Sequence, residues 1–131
     1  MEERGKIIQL ERFKQTIVFH GMKFDTITPT DMDALIEYKN RLYVFMEVKM
    51  VNKQVPTGQK IALKRLADDI HDKPAFVMIG EHNVFDVTKP INLATCQLRE
   101  YYFNKTGRWN KAKKPITIRE SVEILMEIVR R

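Results

Sequence analysis

Asp33, Glu47 and Lys49 are the residues whose types and spacing could do chemistry together. They lie in the run Asp31-Met32-Asp33-Ala34-Leu35-Ile36-Glu37-Tyr38-Lys39-Asn40-Arg41-Leu42-Tyr43-Val44-Phe45-Met46-Glu47-Val48-Lys49, which reads as two short strands joined by a turn. Side chains two apart on a strand share a face, about 6.5–7 Å apart. Glu47 and Lys49 therefore point the same way from a segment, Leu42 to Val48, otherwise made of core residues. Burying a carboxylate and an ammonium costs several kcal/mol unless each finds a partner or a metal. An acid, a turn and Glu-x-Lys at the end of an apolar strand suit magnesium-dependent phosphodiester hydrolysis. Such hydrolysis needs a hard cation to polarise the phosphate and lower the pKa of a water. Magnesium takes one or two carboxylates plus waters and substrate oxygens. Asp33 and Glu47 would supply the carboxylates and the Val48 carbonyl a further ligand, while Lys49 would orient the nucleophile and stabilise developing charge. The competing reading is a hairpin with an ordinary surface Glu/Lys pair.

Asp33, then Glu47-Val48-Lys49, then a helix carrying Gln59 resemble the active site of the PD-(D/E)xK nuclease superfamily. That superfamily includes restriction-type endonucleases, Holliday junction resolvases and recombination exonucleases. The likeness covers residues 30–70. Thr30-Asp31-Met32-Asp33 stands where the family's Pro-Asp would be, and Pro29 precedes Asp31 by two positions, so which aspartate is the ligand stays open. Asp33 is favoured because it adjoins Ala34-Leu35-Ile36, whereas Asp31 sits nearer the Thr-Pro-Thr turn. The resemblance implies an α/β fold in which helices flank a mixed central sheet, the restriction-endonuclease-like core. It implies Mg2+, with Mn2+ as a substitute, and hydrolysis of DNA. A domain this small has little room for a sequence-reading module, which points to structure-selective cutting of branched DNA by a Holliday junction resolvase or phage-type recombination nuclease. Symmetric cutting of two strands implies a homodimer, and the setting would be the cytoplasm of a bacterial or phage-infected cell. Gln59 would help hold the water or the lysine; otherwise it is an exposed first-turn residue. Two rivals are a non-catalytic nucleic-acid-binding or regulatory module with the same fold, and an interaction protein in which Glu47 and Lys49 merely pair.

Composition narrows the alternatives. The chain has 131 residues, 44% hydrophobic and 31% charged, which describes a single folded domain spanning 1–131. No segment approaches the roughly 20 apolar residues of a membrane helix, and the start Met-Glu-Glu-Arg-Gly-Lys does not read as a signal peptide. The lone Cys96 fits a reducing compartment and reads as a small buried hydrophobe. Ser121 falls inside an expected helix, and His20, His71 and His82 lack metal-ligand spacing. Gly58-Gln59-Lys60 is no phosphate-cradling loop. The net charge of +6 is concentrated: Lys105, Arg108, Lys111, Lys113 and Lys114 fall in ten residues without an acid, around Trp109. Cations interleaved with aromatics suit a phosphate backbone and exposed bases, so this stretch is expected to form a mobile arm or loop that binds DNA beside the acidic centre.

The elements that must position these residues follow from periodicity and turn chemistry. Residues 2–14 read as an amphipathic helix through Ile7, Ile8, Leu10 and Phe13, and Thr16–Phe19 as a first strand. Strands are expected over Asp33–Tyr38 and Leu42–Met50, turning at Lys39-Asn40-Arg41, and a loop over Val51–Thr57. A helix then starts near Gly58 with Thr57 as N-cap and the stripe Ala62, Leu63, Leu66 and Ile70, which Gln59 heads. Ala75–Ile79 reads as a buried strand, Val84–Val87 as a short one and Gln97–Phe103 as a late one, with part of 92–98 open to a helical turn. Thr117-Ile118-Arg119-Glu120 has the spacing of a capping box before Val122, Leu125, Met126 and Val129.

Overall fold

The hairpin at residues 34–50 is the frame on which the other elements assemble. In the computed structural model, which describes residues 17–131, β1 (Ala34–Tyr38) and β2 (Leu42–Met50) pair antiparallel in the register Ala34↔Met46, Ile36↔Val44 and Tyr38↔Leu42. Lys39 and Asn40 turn the chain with φ of 49° and 59°. Positive φ at both central residues is the type I′ geometry, whose twist matches that of the flanking strands.

From β2 the chain crosses through α1 (Thr57–Asp68) to β3 (Ala75–His82), which lies parallel to β2 in the register Glu47↔Ile79 and Lys49↔Glu81. β4 (Gln97–Phe103) and β5 (Arg108–Lys111) then add antiparallel, giving a five-stranded mixed sheet in the order β1-β2-β3-β4-β5. The final helix, α2, spans Ile118–Arg130. Parallel strands need a crossover, and α1 supplies it.

The helices cover opposite faces, because alternate side chains of β2 and β3 join different apolar clusters. Val44, Met46, Phe76 and Met78 pack with Ile118 and Val122 of α2, while Phe45, Val77 and Ile79 pack with Leu63 and Ala67 of α1. Coverage on both sides explains why Phe76-Val77-Met78-Ile79 is apolar without alternation. Tyr102 of β4 fastens α1 to the sheet by donating its hydroxyl proton to Asp68, which Lys64 also contacts at 2.8 Å. Gly80 lets α2 close in: a Cβ there would meet the Ile118 side chain at 3.2 Å.

Several expected elements appear as read. β2 and β4 have the expected bounds, and α2 opens with the capping box, Thr117 accepting from the Glu120 N–H and the Glu120 side chain from the Thr117 N–H. Others need correction. Pro56 rather than Thr57 precedes α1, with no side-chain cap, because Thr57 is itself the first helical residue. Leu66 is 41% exposed and Ala67 takes its place in the core. Val84–Val87 forms no strand; Val87 and Phe85 stand in solvent on an extended loop that ends in a 3-10 turn over Leu93–Thr95. Ile17–Phe19 is irregular rather than a strand, and the helix expected over 2–14 lies outside the described residues.

Ile79 pairs with Glu100 but Gly80 pairs with Leu98, so Arg99 is an extra residue in β4, a β-bulge.

Candidate active site

Asp33, just before the start of β1, faces Glu47 of β2 in register, and Lys49 pairs with Glu47 on the same strand. Carrying the register Ala34↔Met46 one residue further sets Asp33 across from Glu47. The Asp33 N–H donates to the Met46 carbonyl at 3.1 Å, and its carboxylate accepts the Val48 N–H at 2.7 Å. Here β2 has outrun its partner strand, and an aspartate side chain takes the place of the missing backbone. In a strand the N–H and C=O of one residue point the same way. The Val48 carbonyl is therefore directed off the same edge as the N–H that Asp33 holds.

Glu47 is 3% exposed on the α1 face of the sheet. Its Oε1 lies 3.4 Å from Lys49 Nζ, while Oε2 is buried and finds no hydrogen-bond donor among the described residues. Burial, followed by the nearby Asp33 charge, pushes the Glu47 carboxyl above its ordinary value, against the opposing pull of Lys49 and the Gln59 amide. Lys49 is partly exposed, so its ammonium can reach solvent or a bound phosphate. Gln59, in the first turn of α1, donates to the Asp31 carbonyl at 3.0 Å. Asp31 thus anchors α1 to the segment before β1, and Asp33 is the carboxylate that faces Glu47.

A hard cation suits these donors. Two carboxylates side by side, one with an unclaimed buried oxygen, and a backbone carbonyl at an open strand edge are all oxygen ligands of the kind magnesium accepts. Among the described residues no group of three His, Cys, Asp or Glu side chains is placed to hold a metal ion.

The cationic stretch differs from the loop expected of it. Arg108–Lys111 is strand β5, paired with β4 through Tyr102↔Trp109 and Phe103↔Arg108. The Trp109 ring packs on Tyr102 at 5.4 Å between centroids and carries Lys60 Nζ 4.4 Å from its own centroid, so it belongs to the α1 cluster rather than to an open stacking platform. Lys60 also pairs with Glu100. The cations divide between the two ends of the sheet. Lys105 donates to the His71 carbonyl at 2.6 Å, near the start of β3, and Arg108 is level with Phe76. That level is three residues short of Glu47 along the strands, about 10 Å. Lys111 shares the cross-sheet row Glu47-Ile79-Glu100-Lys111, three strands over, about 14 Å away. Lys113 and Lys114 follow where Ala112 donates to the Arg99 carbonyl, beyond the row that holds Glu47.

Two residues near the site escape a reading of the sequence. Glu81 lies beside Lys49 in the register of β2 and β3, and Arg99 pairs with Glu81 at 3.3 Å. Glu81 had a signal: it is the first charged residue after the buried run of β3. Arg99 had none, because a bulge leaves no mark in residue types. Cys96 is buried, and burial together with the Asp33 charge pushes its thiol up, away from nucleophilic use. Among the described residues no helix is long and apolar enough to cross a membrane. Searches against protein-family models, curated proteins and solved structures give no match to this chain.

Proposed function

We propose that this protein is a metal-dependent deoxyribonuclease with a restriction-endonuclease-like core, hydrolysing DNA phosphodiesters. The observation that carries the reading is the buried Glu47 carboxylate, which has one oxygen paired with Lys49, one oxygen unclaimed, and Asp33 opposite. Holding two like charges together costs stability, and a divalent cation would offset that cost.

Asp33, Glu47 and the Val48 carbonyl would hold Mg2+ or Mn2+. When bound, the ion supplies Lewis-acid polarisation of the phosphate and a more acidic water. The protein's own groups do the rest. Asp33 is held by the Val48 N–H, so its second oxygen stays available. Lys49 is near enough to the carboxylates to orient a nucleophile and exposed enough to meet the phosphate, where its charge favours the transition state. Gln59 ties α1 to the segment that carries Asp33. Lys111, Lys113 and Lys114 would receive the backbone of the DNA.

The form of the reaction proposed is structure-selective cutting of branched DNA, and symmetric cutting would require a homodimer. Cleavage of junction, duplex and single-stranded DNA with and without magnesium tests the reaction. Sedimentation under DNA-binding conditions tests the dimer, and a monomer alone would count against symmetric cutting.

A further inference from the structure

We infer that Arg99 is a positioning residue that keeps Lys49 committed to Glu47; its effect on rate rests on the hydrolytic reading above, its effect on geometry does not. Lys49 is the register partner of Glu81 on the neighbouring parallel strand. Partners on adjacent strands lie about 4.8 Å apart and point to the same face. Lys49 therefore has a second carboxylate within reach besides Glu47, whose Oε1 lies 3.4 Å from its Nζ. A lysine ammonium is a point charge on a flexible stem and would divide itself between two such partners.

Glu81 does not compete because it is already engaged. Arg99 Nε donates to Glu81 Oε2 at 3.3 Å. The same guanidinium donates through Nη1 to the Lys53 carbonyl at 2.7 Å and through Nη2 to the Met50 carbonyl at 3.4 Å. Both carbonyls belong to the turn that starts one residue after Lys49, closed by the Lys53 N–H on Met50 at 3.0 Å with Asn52 at φ 69°. One planar fork thus occupies the rival carboxylate and fixes the chain leaving Lys49, which an ammonium could not do.

The bulge makes this reach available. A regular strand would turn Leu98 and Glu100 to the same face. The extra residue lets Leu98 join the α2 cluster while Glu100 faces Lys60 of α1, and leaves Arg99 out of the ladder with its side chain against Glu81. Bulges re-aim side chains in this way beside functional sites.

The test compares single and double variants of the full chain on DNA. Arg99→Ala should lower kcat about tenfold with KM little changed, as expected when a group acting in the transition state is misplaced. Arg99→Lys should restore little. Arg99→Ala with Glu81→Gln should recover most of the loss, because the rival charge is gone, while Glu81→Gln alone stays near the parent. If Arg99→Ala does not fold, Arg99→Gln with and without Glu81→Gln gives the same comparison. Wild-type kcat without Arg99, or no recovery from Glu81→Gln, would overturn the inference. A crystal structure of the Arg99→Ala protein keeps the two readings apart. Lys49 Nζ found on Glu81 upholds the inference even in a protein that cleaves nothing, and Lys49 still on Glu47 overturns it even in one that cleaves DNA.

Discussion

Asp33 faces Glu47 across the open end of the β1–β2 hairpin, the first carboxylate anchored by the Val48 N–H at 2.7 Å and the second buried with an oxygen that no donor among the described residues reaches. Two acids so placed repel one another, and a bound cation would relieve that repulsion. Magnesium should therefore raise the melting temperature. A ligand that binds only the folded state adds about 2.7 kcal/mol at a hundred times its Kd. Calorimetric scans with and without Mg2+ should show the rise in the parent protein and lose it in Asp33→Asn with Glu47→Gln. An equal rise in both would place the ion elsewhere.

The raised Glu47 pKa sets the sign of a pH effect. The folded state holds this proton more tightly than the unfolded state, so stability falls as pH climbs from the ordinary value of 4.5 through the raised one. Below that window both states are protonated and the penalty is absent; above it the full penalty remains. In metal-free protein, Glu47→Gln should therefore be more stable than the parent at about pH 7. The gain should shrink towards about pH 4. Urea unfolding in chelator across this range checks it, and a variant less stable than the parent at neutral pH would contradict the electrostatic account.

The division of the basic stretch predicts unequal roles for its lysines. Lys113→Ala with Lys114→Ala should make the slope of log affinity against log salt shallower by up to about 2, at about 0.9 per phosphate contact. Lys105→Ala with Arg108→Ala should change it less, since Lys105 is bonded near the start of β3 and Arg108 lies level with Phe76, away from Glu47. Fluorescence titrations from low to high salt decide this, and the reverse order would put the DNA at the other end of the sheet.

Trp109 packs between Tyr102 and Lys60, so its removal should act on stability first. Trp109→Ala is expected to cost about 2 kcal/mol, less than a fully buried aromatic. Denaturant titration measures the cost. A silent substitution in unfolding that abolished binding to unpaired DNA would restore the stacking role expected of it.

The local structure was legible wherever residue types carry the period. Leu42–Met50 and Gln97–Phe103 announce strands, and Thr117 with Glu120 announces the start of α2. The pairing of Glu47 and Lys49 on one face follows from alternation alone, and the placement of Asp33 follows from the hairpin. What could not be read depends on contacts between distant segments. Val84 and Phe85 have strand-forming side chains, but among the described residues no neighbouring strand takes their backbone. Lys105 to Lys114 looks like a loop by charge, yet its centre pairs with β4 because Trp109 finds Tyr102. Arg99 reaches Glu81 only through a bulge, and the competition for Lys49 appears only once β2 and β3 are set side by side.

Magnesium-dependent cleavage of branched and linear DNA by the parent protein, Glu47→Ala and Lys49→Ala shows whether Glu47 and Lys49 serve hydrolysis. The account predicts cleavage by the parent that needs a divalent ion, no detectable cleavage by Glu47→Ala, and a loss of about a hundredfold or more in rate for Lys49→Ala. Cleavage by Glu47→Ala at the parent's rate would contradict it.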